Sequence, residues 1–192
     1  LIGLILLATA CIVLFFTAIY FFVFRYNGDL YEKLTRTEDI DTLYVKEKET
    51  LEQADTMART SQKNFTFDGR SLYCFDGSDG DDCLDTKIRS SASFLALFDK
   101  QQKIAKNIEY IKEAGGAFTF FTIDSRSQFD RHRSIGIVFA EKEGQFEQAG
   151  YTNVIQDKAQ FQSIVDRVPA SEPYYFYPLS ETHYLFYKYI PY

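Results

Sequence analysis

One stretch, "LYCFDGSDGDDCLD", concentrates the groups most able to do chemistry. It holds Asp76, Asp79, Asp81, Asp82 and Asp85 between glycines, with Cys74 and Cys83 flanking the core of the run. Calcium takes several oxygen ligands from a flexible turn. Asp76, Ser78, Asp79, Asp81 and Asp82 are therefore candidate calcium ligands, and calcium is the one cofactor to test for. The spacing departs from an EF-hand loop, which needs D-x-[DN]-x-[DN]-G and a distal Glu. A solvated acidic turn is the competing reading. The cysteine spacing is not the C-x-x-C of a redox or zinc site. A Cys74–Cys83 disulfide closing the loop is preferred over two free thiols, and it places this part of the chain in an oxidising compartment. Cys11 reads as inert packing. "NFT" at Asn64–Thr66 is a glycosylation sequon and points to the same side of a membrane.

Other reactive groups are sparse. There are two histidines. His132 sits in "FDRHRS" between Arg131 and Arg133, and His183 in "SETHYLF". No G-x-S-x-G and no H-E-x-x-H occurs, so no catalytic residue is assigned and the chain is read as a non-enzyme. Arg126, Arg131 and Arg133 form a cationic hairpin tip that reads as a solvated surface. No glycine-rich phosphate loop is present. A net charge of −6 argues against a nucleic-acid partner.

The elements that position these groups begin with an apolar run, "LIGLILLATACIVLFFTAIYFFVF", residues 1–24. As a helix it would span about 36 Å, enough for a bilayer core of about 30 Å. A charged amphipathic helix follows, with Leu30, Ile40, Tyr44, Leu51, Ala54 and Ala58 at 3–4 spacing. Residues 25–63 read as a stalk. Residues 64–192 read as a globular head, with 14 Tyr, 19 Phe and no Trp in the chain to build a core. Within the head, "FTFDGRSLYCF" is strand-like. A long helix is expected from about Thr86 to Ala114, carrying Ile88, Phe94, Leu95, Leu97, Phe98, Ile104, Ile108 and Ile111, with Gly115 as its C-terminal cap. "AFTFFTID", "SIGIVFAEK", "YYFYPL" and "HYLFYKYI" read as strands, and "IQDKAQFQSIVDRV" as a short helix.

The expected fold is α+β. A long N-terminal hydrophobic helix continues into an amphipathic stalk helix, then an antiparallel sheet carries helices packed on one face. The last strand breaks the half-exposed alternation: Tyr184, Phe186 and Ile190 on one face, Leu185, Tyr187 and Tyr189 on the other. Either both faces are buried within the domain or one meets a neighbour, and Tyr184, Phe186 and Tyr189 are candidate interface residues.

A chain that starts at Leu1, with its hydrophobic helix kept, resembles type IV pilins and their archaeal relatives. The resemblance rests on the apolar run, the Asn27-Gly28 flexible point, the amphipathic segment to about Lys63 and a sheet-bearing head. It implies a non-catalytic subunit of an extracellular, cell-surface filament, held in the membrane before assembly. Copies would then form a homo-oligomeric helix through Leu4, Leu7, Ile12, Phe15, Ile19 and Phe22. Bacterial pilins carry a glutamate near the fifth residue, where this chain has Ile5. The same element order also resembles single-pass scaffold proteins of pilus and secretion machines, with a ferredoxin-like extracytoplasmic domain. A sensor ectodomain is the third class.

Overall fold

A computed structural model describes residues 12–17, 34–75, 86–113, 115–128, 131–167 and 173–191. Its elements are α1 (Thr37–Ala58), β1 (Phe65–Phe67), β2 (Leu72–Cys74), α2 (Thr86–Arg89), α3 (Ala92–Phe98), β3 (Asn107–Glu113) and β4 (Gly116–Gln128). They continue with β5 (Arg131–Ala140), α4 (Gln145–Gln148), α5 (Lys158–Asp166), β6 (Tyr174–Pro178) and β7 (His183–Pro191). The strands form a seven-stranded sheet in the order β2-β1-β3-β4-β5-β7-β6. Every named pairing is antiparallel.

The centre of the sheet is built from strands buried on both sides, so they read as continuous apolar runs. In β4, Ala117, Thr119 and Phe121 face one core, while Phe118 and Phe120 face the other. The register shifts between Thr122 and Asp124, a bulge that re-aims the rest of β4. Opposite it, Gly136 leaves no room for a side chain: a Cβ there would lie 2.0 Å from the Phe121 carbonyl oxygen.

The first core lies under α1, α3 and α5. Ile40, Tyr44, Leu51, Ala54 and Ala58 of α1 meet Phe94 and Leu97 of α3, and Phe161 and Val165 of α5. Ser91 caps α3 by accepting from the Phe94 N–H, and Asp157 caps α5 by accepting from the Gln160 N–H. The second core lies on the opposite face under α4, where Phe146 packs with Phe118, Phe120, Val138, Phe176 and Phe186.

The expected fold class is therefore corrected in three ways. Helices cover both faces of the sheet, not one. Residues 86–114 are not one helix: they form α2, α3 and the strand β3, and the Gly115-Gly116 pair turns β3 into β4, with Glu113 opposite Gly116. The amphipathic segment is no stalk continuing an apolar helix. α1 starts at Thr37 after three non-helical residues, with Arg36 extended (φ −66°, ψ 146°), and it packs onto the sheet. Among the described residues, no helix is long and apolar enough to cross a membrane. The sheet order also departs from the ferredoxin-like arrangement.

The two sheet edges differ. β6 is covered on its outer side by residues 153–155: the Phe176 N–H donates to the Asn153 carbonyl (2.9 Å) and the Ile155 N–H to the Phe176 carbonyl (2.7 Å). β2, at the other edge, is three residues long.

Candidate functional site

The densest polar constellation is centred on Asp124, just past the β4 bulge. Its carboxylate accepts from the Thr35 N–H (3.0 Å) and hydroxyl (3.2 Å) through Oδ2. Oδ1 accepts from Lys106 Nζ (2.7 Å) and the Ser125 N–H (2.8 Å). The Arg126 guanidinium lies 3.7 Å away. Burial of Asp124 opposes ionisation, but the Lys106 and Thr35 bonds outweigh it and hold the carboxyl below its ordinary value. The bulge aims this group at the segment that leads into α1. Its chemistry is to hold a strand and a chain segment together. The sequence expectations did not include this group; the signal for it is a lone acid closing the apolar strand "AFTFFTID".

His183, at the start of β7, stacks on Phe139 (3.8 Å between centroids, 14° between planes), and its Nδ1 lies 2.7 Å from the Tyr44 hydroxyl. It thus ties α1 to the sheet. Burial lowers its pKa, with Glu52, Lys48 and Arg59 the charged groups that act on it. His132 pairs across the β4–β5 hairpin with Ser127 (Oγ to Nδ1, 2.7 Å) and is also lowered, first by burial and then by Lys188. Both histidines bind protons more weakly in the folded state than in the unfolded chain. Between the two values the unfolded chain holds more protons, so stability falls as pH drops through the ordinary histidine value. The expected result is a melting temperature that declines from about pH 7 to pH 5. His183→Gln should flatten that slope, leaving the part due to His132. An unchanged slope in this variant rules His183 out as the titrating group.

Two further networks lie one on each face, Lys188 on the second face and Arg133 on the first. Lys188 Nζ sits 3.6 Å from Glu109 Oε2 and 5.1 Å from the Tyr174 ring centre. Arg133 is 6% exposed. Its Nε donates to the Tyr187 hydroxyl (3.1 Å) and its Nη2 to the Val165 carbonyl at the end of α5 (2.5 Å). It is an interior strut, and the expectation of a solvated tip fails for it because its side chain lies on the first-core face.

The remaining sequence candidates fall as follows. Cys74 is disulfide-bonded. Cys83 and the calcium candidates Asp76, Ser78, Asp79, Asp81 and Asp82 lie outside the described residues, as do Leu4, Leu7, Ile19 and Phe22. Among the described residues no cluster of three or more metal-ligating side chains occurs. Asn64 uses its amide on the β3 backbone, accepting from the Lys112 N–H at 2.7 Å. Of the C-terminal aromatics, Phe186 (1% exposed) and Tyr189 (8%) are interior, and Tyr184 packs on Phe146 at 4.4 Å. Leu185, Phe186 and Tyr187 are buried and Tyr184 and Ile190 partly buried, so both faces of β7 pack within the domain and its alternation fails. A shallow groove of about 560 Å³ between the start of α1 and α5 is lined by Thr37, Glu38, Lys158, Gln162, Asp166 and Arg167. Within it Thr37 pairs with Gln162 and Gln162 with Asp166, and Lys158 pairs with Asp41 of α1.

One further feature precedes the domain in sequence. Residues 12–17 are helical, and Ile12, Val13, Leu14, Phe15 and Phe16 are 56–69% exposed.

Comparisons with protein-family models, curated proteins and solved structures found no match for this chain.

Proposed function

We propose that this chain is a non-catalytic, membrane-anchored domain facing an oxidising compartment, where it acts by protein contact as an assembly scaffold. The observation that carries this reading is the exposed helical stretch 12–17. Five successive large apolar side chains, each more than half exposed, favour another apolar phase. The surrounding run, residues 1–24, carries no charged residue, and a bilayer supplies that phase without further partners. The Cys74 disulfide supports an oxidising compartment. The side chains best suited to chemistry are engaged in holding elements together: His183 on Tyr44, His132 on Ser127, and Asp124 on Thr35. A filament built on one continuous helix fits poorly with the non-helical residues 34–36 before α1, so the scaffold reading is preferred to the filament.

Fractionation of cells expressing the chain tests this. The protein is expected in the membrane fraction, resistant to alkaline extraction and released by detergent. Val13→Asp with Phe16→Asp should move it to the soluble fraction, since each charge at mid-membrane costs about 2.5–3.5 kcal/mol. Wild-type protein found soluble overturns the reading. Sheared fibres containing it, seen by electron microscopy, would restore the filament.

A further inference from the structure

The sequon Asn64–Thr66 runs into β1, and each of its residues is already engaged in the sheet. Phe65 is fully buried and lies between Cys74 of β2 and Tyr110 of β3. Thr66 lies between Tyr73 and Glu109 in the same ladders. Asn64 is held from both sides. Its carbonyl accepts from the Phe75 N–H (3.2 Å). Its side-chain amide meets one residue of β3 twice: Oδ1 accepts from the Lys112 N–H (2.7 Å) and Nδ2 donates to the Lys112 carbonyl (3.4 Å). The amide thus stands in for strand backbone and carries the β1–β3 ladder past the Phe65–Tyr110 pair.

Glycosyl transfer needs the same amide. Nδ2 forms a bond to the anomeric carbon of a lipid-linked oligosaccharide, the bond from that carbon to the diphosphate breaks, and Nδ2 gives up one proton. A secondary amide is trans, so the sugar takes the position on Nδ2 opposite Cβ and beside Oδ1. The hydrogen aimed at the Lys112 carbonyl occupies that position, because Oδ1 and Nδ2 both address Lys112 along one edge of the amide. The sugar and this second bond therefore exclude one another. Synthesis order leaves an interval in which the amide is free. Lys112 follows Asn64 by 48 residues, so Asn64 precedes its partner by about 2–10 s at synthesis rates of about 5–20 residues per second.

We infer that Asn64 accepts an N-linked glycan only before β1 docks on β3, and that the folded domain closes this modification site. The proposed oxidising compartment matters here only for the cell's supply of donor. The experiment provides the donor directly, so failure of the membrane-anchored reading leaves its result unaffected.

The chain, made in a host without N-glycosylation, is held in detergent with an oligosaccharyltransferase and a lipid-linked oligosaccharide. The second acceptor is Gly136→Val, which keeps the sequon but cannot close the sheet: a Cβ at position 136 meets the Phe121 carbonyl oxygen at 2.0 Å. Mass spectrometry of the peptide carrying Asn64 reads the transfer. Gly136→Val is expected to be modified at least about tenfold faster than wild type, in which transfer waits on opening of the sheet edge. Equal rates overturn the inference. Absence of transfer to both chains also overturns it, since Asn64 is then no acceptor at all. Amide exchange separates the Asn64 clamp from simple strand burial. The Lys112 N–H should exchange slowly in wild type and at least about fivefold faster in Asn64→Ala. The same rate in both shows that Asn64 does not hold Lys112, and the exclusion of the sugar by that bond falls.

Discussion

Phe146→Ala is expected to destabilise the domain by about 3–5 kcal/mol. α4 has four residues, far too few to persist as a helix without packing. Phe146 supplies that packing. Its ring centre lies 4.4 Å from Tyr184, 4.5 Å from Phe176, 5.0 Å from Phe118 and 5.8 Å from Tyr151. Removal opens a cavity that these rigid rings fill poorly. It also detaches the cover of the second face, because the neighbouring Gln145 holds the turn only while α4 stays docked. Gln145 accepts from the Glu141 and Lys142 N–H groups (2.6 and 2.9 Å) and donates to the Ala117 carbonyl (3.0 Å). At about 2–4 °C per kcal/mol for a domain of this size, the melting temperature should fall by about 6–20 °C. Thermal melts check the size of the loss, and limited proteolysis of residues 141–155 checks its location. A loss under about 1 kcal/mol would show that Phe146 does not occupy this cluster.

Asp124→Ala is expected to cost about 3 kcal/mol. The carboxylate is 6% exposed and serves two backbone N–H groups, a hydroxyl and an ammonium. Its loss leaves the Thr35 and Ser125 N–H groups without an acceptor beside the sheet, whereas Lys106 can turn to water. Asp124→Asn should cost less, since one carbonyl oxygen can still accept while the new amide N–H faces the donors. The carboxylate's contribution is present above the ordinary Asp value and is lost as pH falls through the lowered folded value. Chemical denaturation of both variants measures the ranking. Equal stability of wild type and Asp124→Ala would mean that Thr35 is not held there in solution.

The sequence showed the strands more clearly than the helices. "AFTFFTID", "SIGIVFAEK", "YYFYPL" and "HYLFYKYI" correspond to β4 to β7, because β-branched and aromatic runs between turn residues have few alternative uses. The stripe Ile40, Tyr44, Leu51, Ala54 and Ala58 is the buried face of α1. The helix expected over 86–114 failed for a specific reason. Ile104, Ile108 and Ile111 satisfy helical spacing, yet Ile108 and Tyr110 also alternate inward as a strand, with Glu109 on the other face. The choice was made by neighbours far along the chain: β1 pairs with Ile108–Tyr110 on one side and β4 with all of β3 on the other. The Gly-Gly pair after it fits a hairpin turn as well as a helix cap. Of the polar networks, those at Asp124, His183 and Arg133 were hidden, since each joins residues separated by 32 to 139 positions.

If copies are anchored in one membrane as proposed, they share a thin layer, where their local concentration far exceeds that of the same number of molecules in bulk. Sheets with long open edges would then fuse with one another, strand to strand. The overlay of residues 153–155 on β6 occupies one edge of this sheet, and the brevity of β2 leaves little ladder at the other. The domain can therefore be crowded without its sheets merging, and contacts between copies or with partners are left to side chains rather than to backbone.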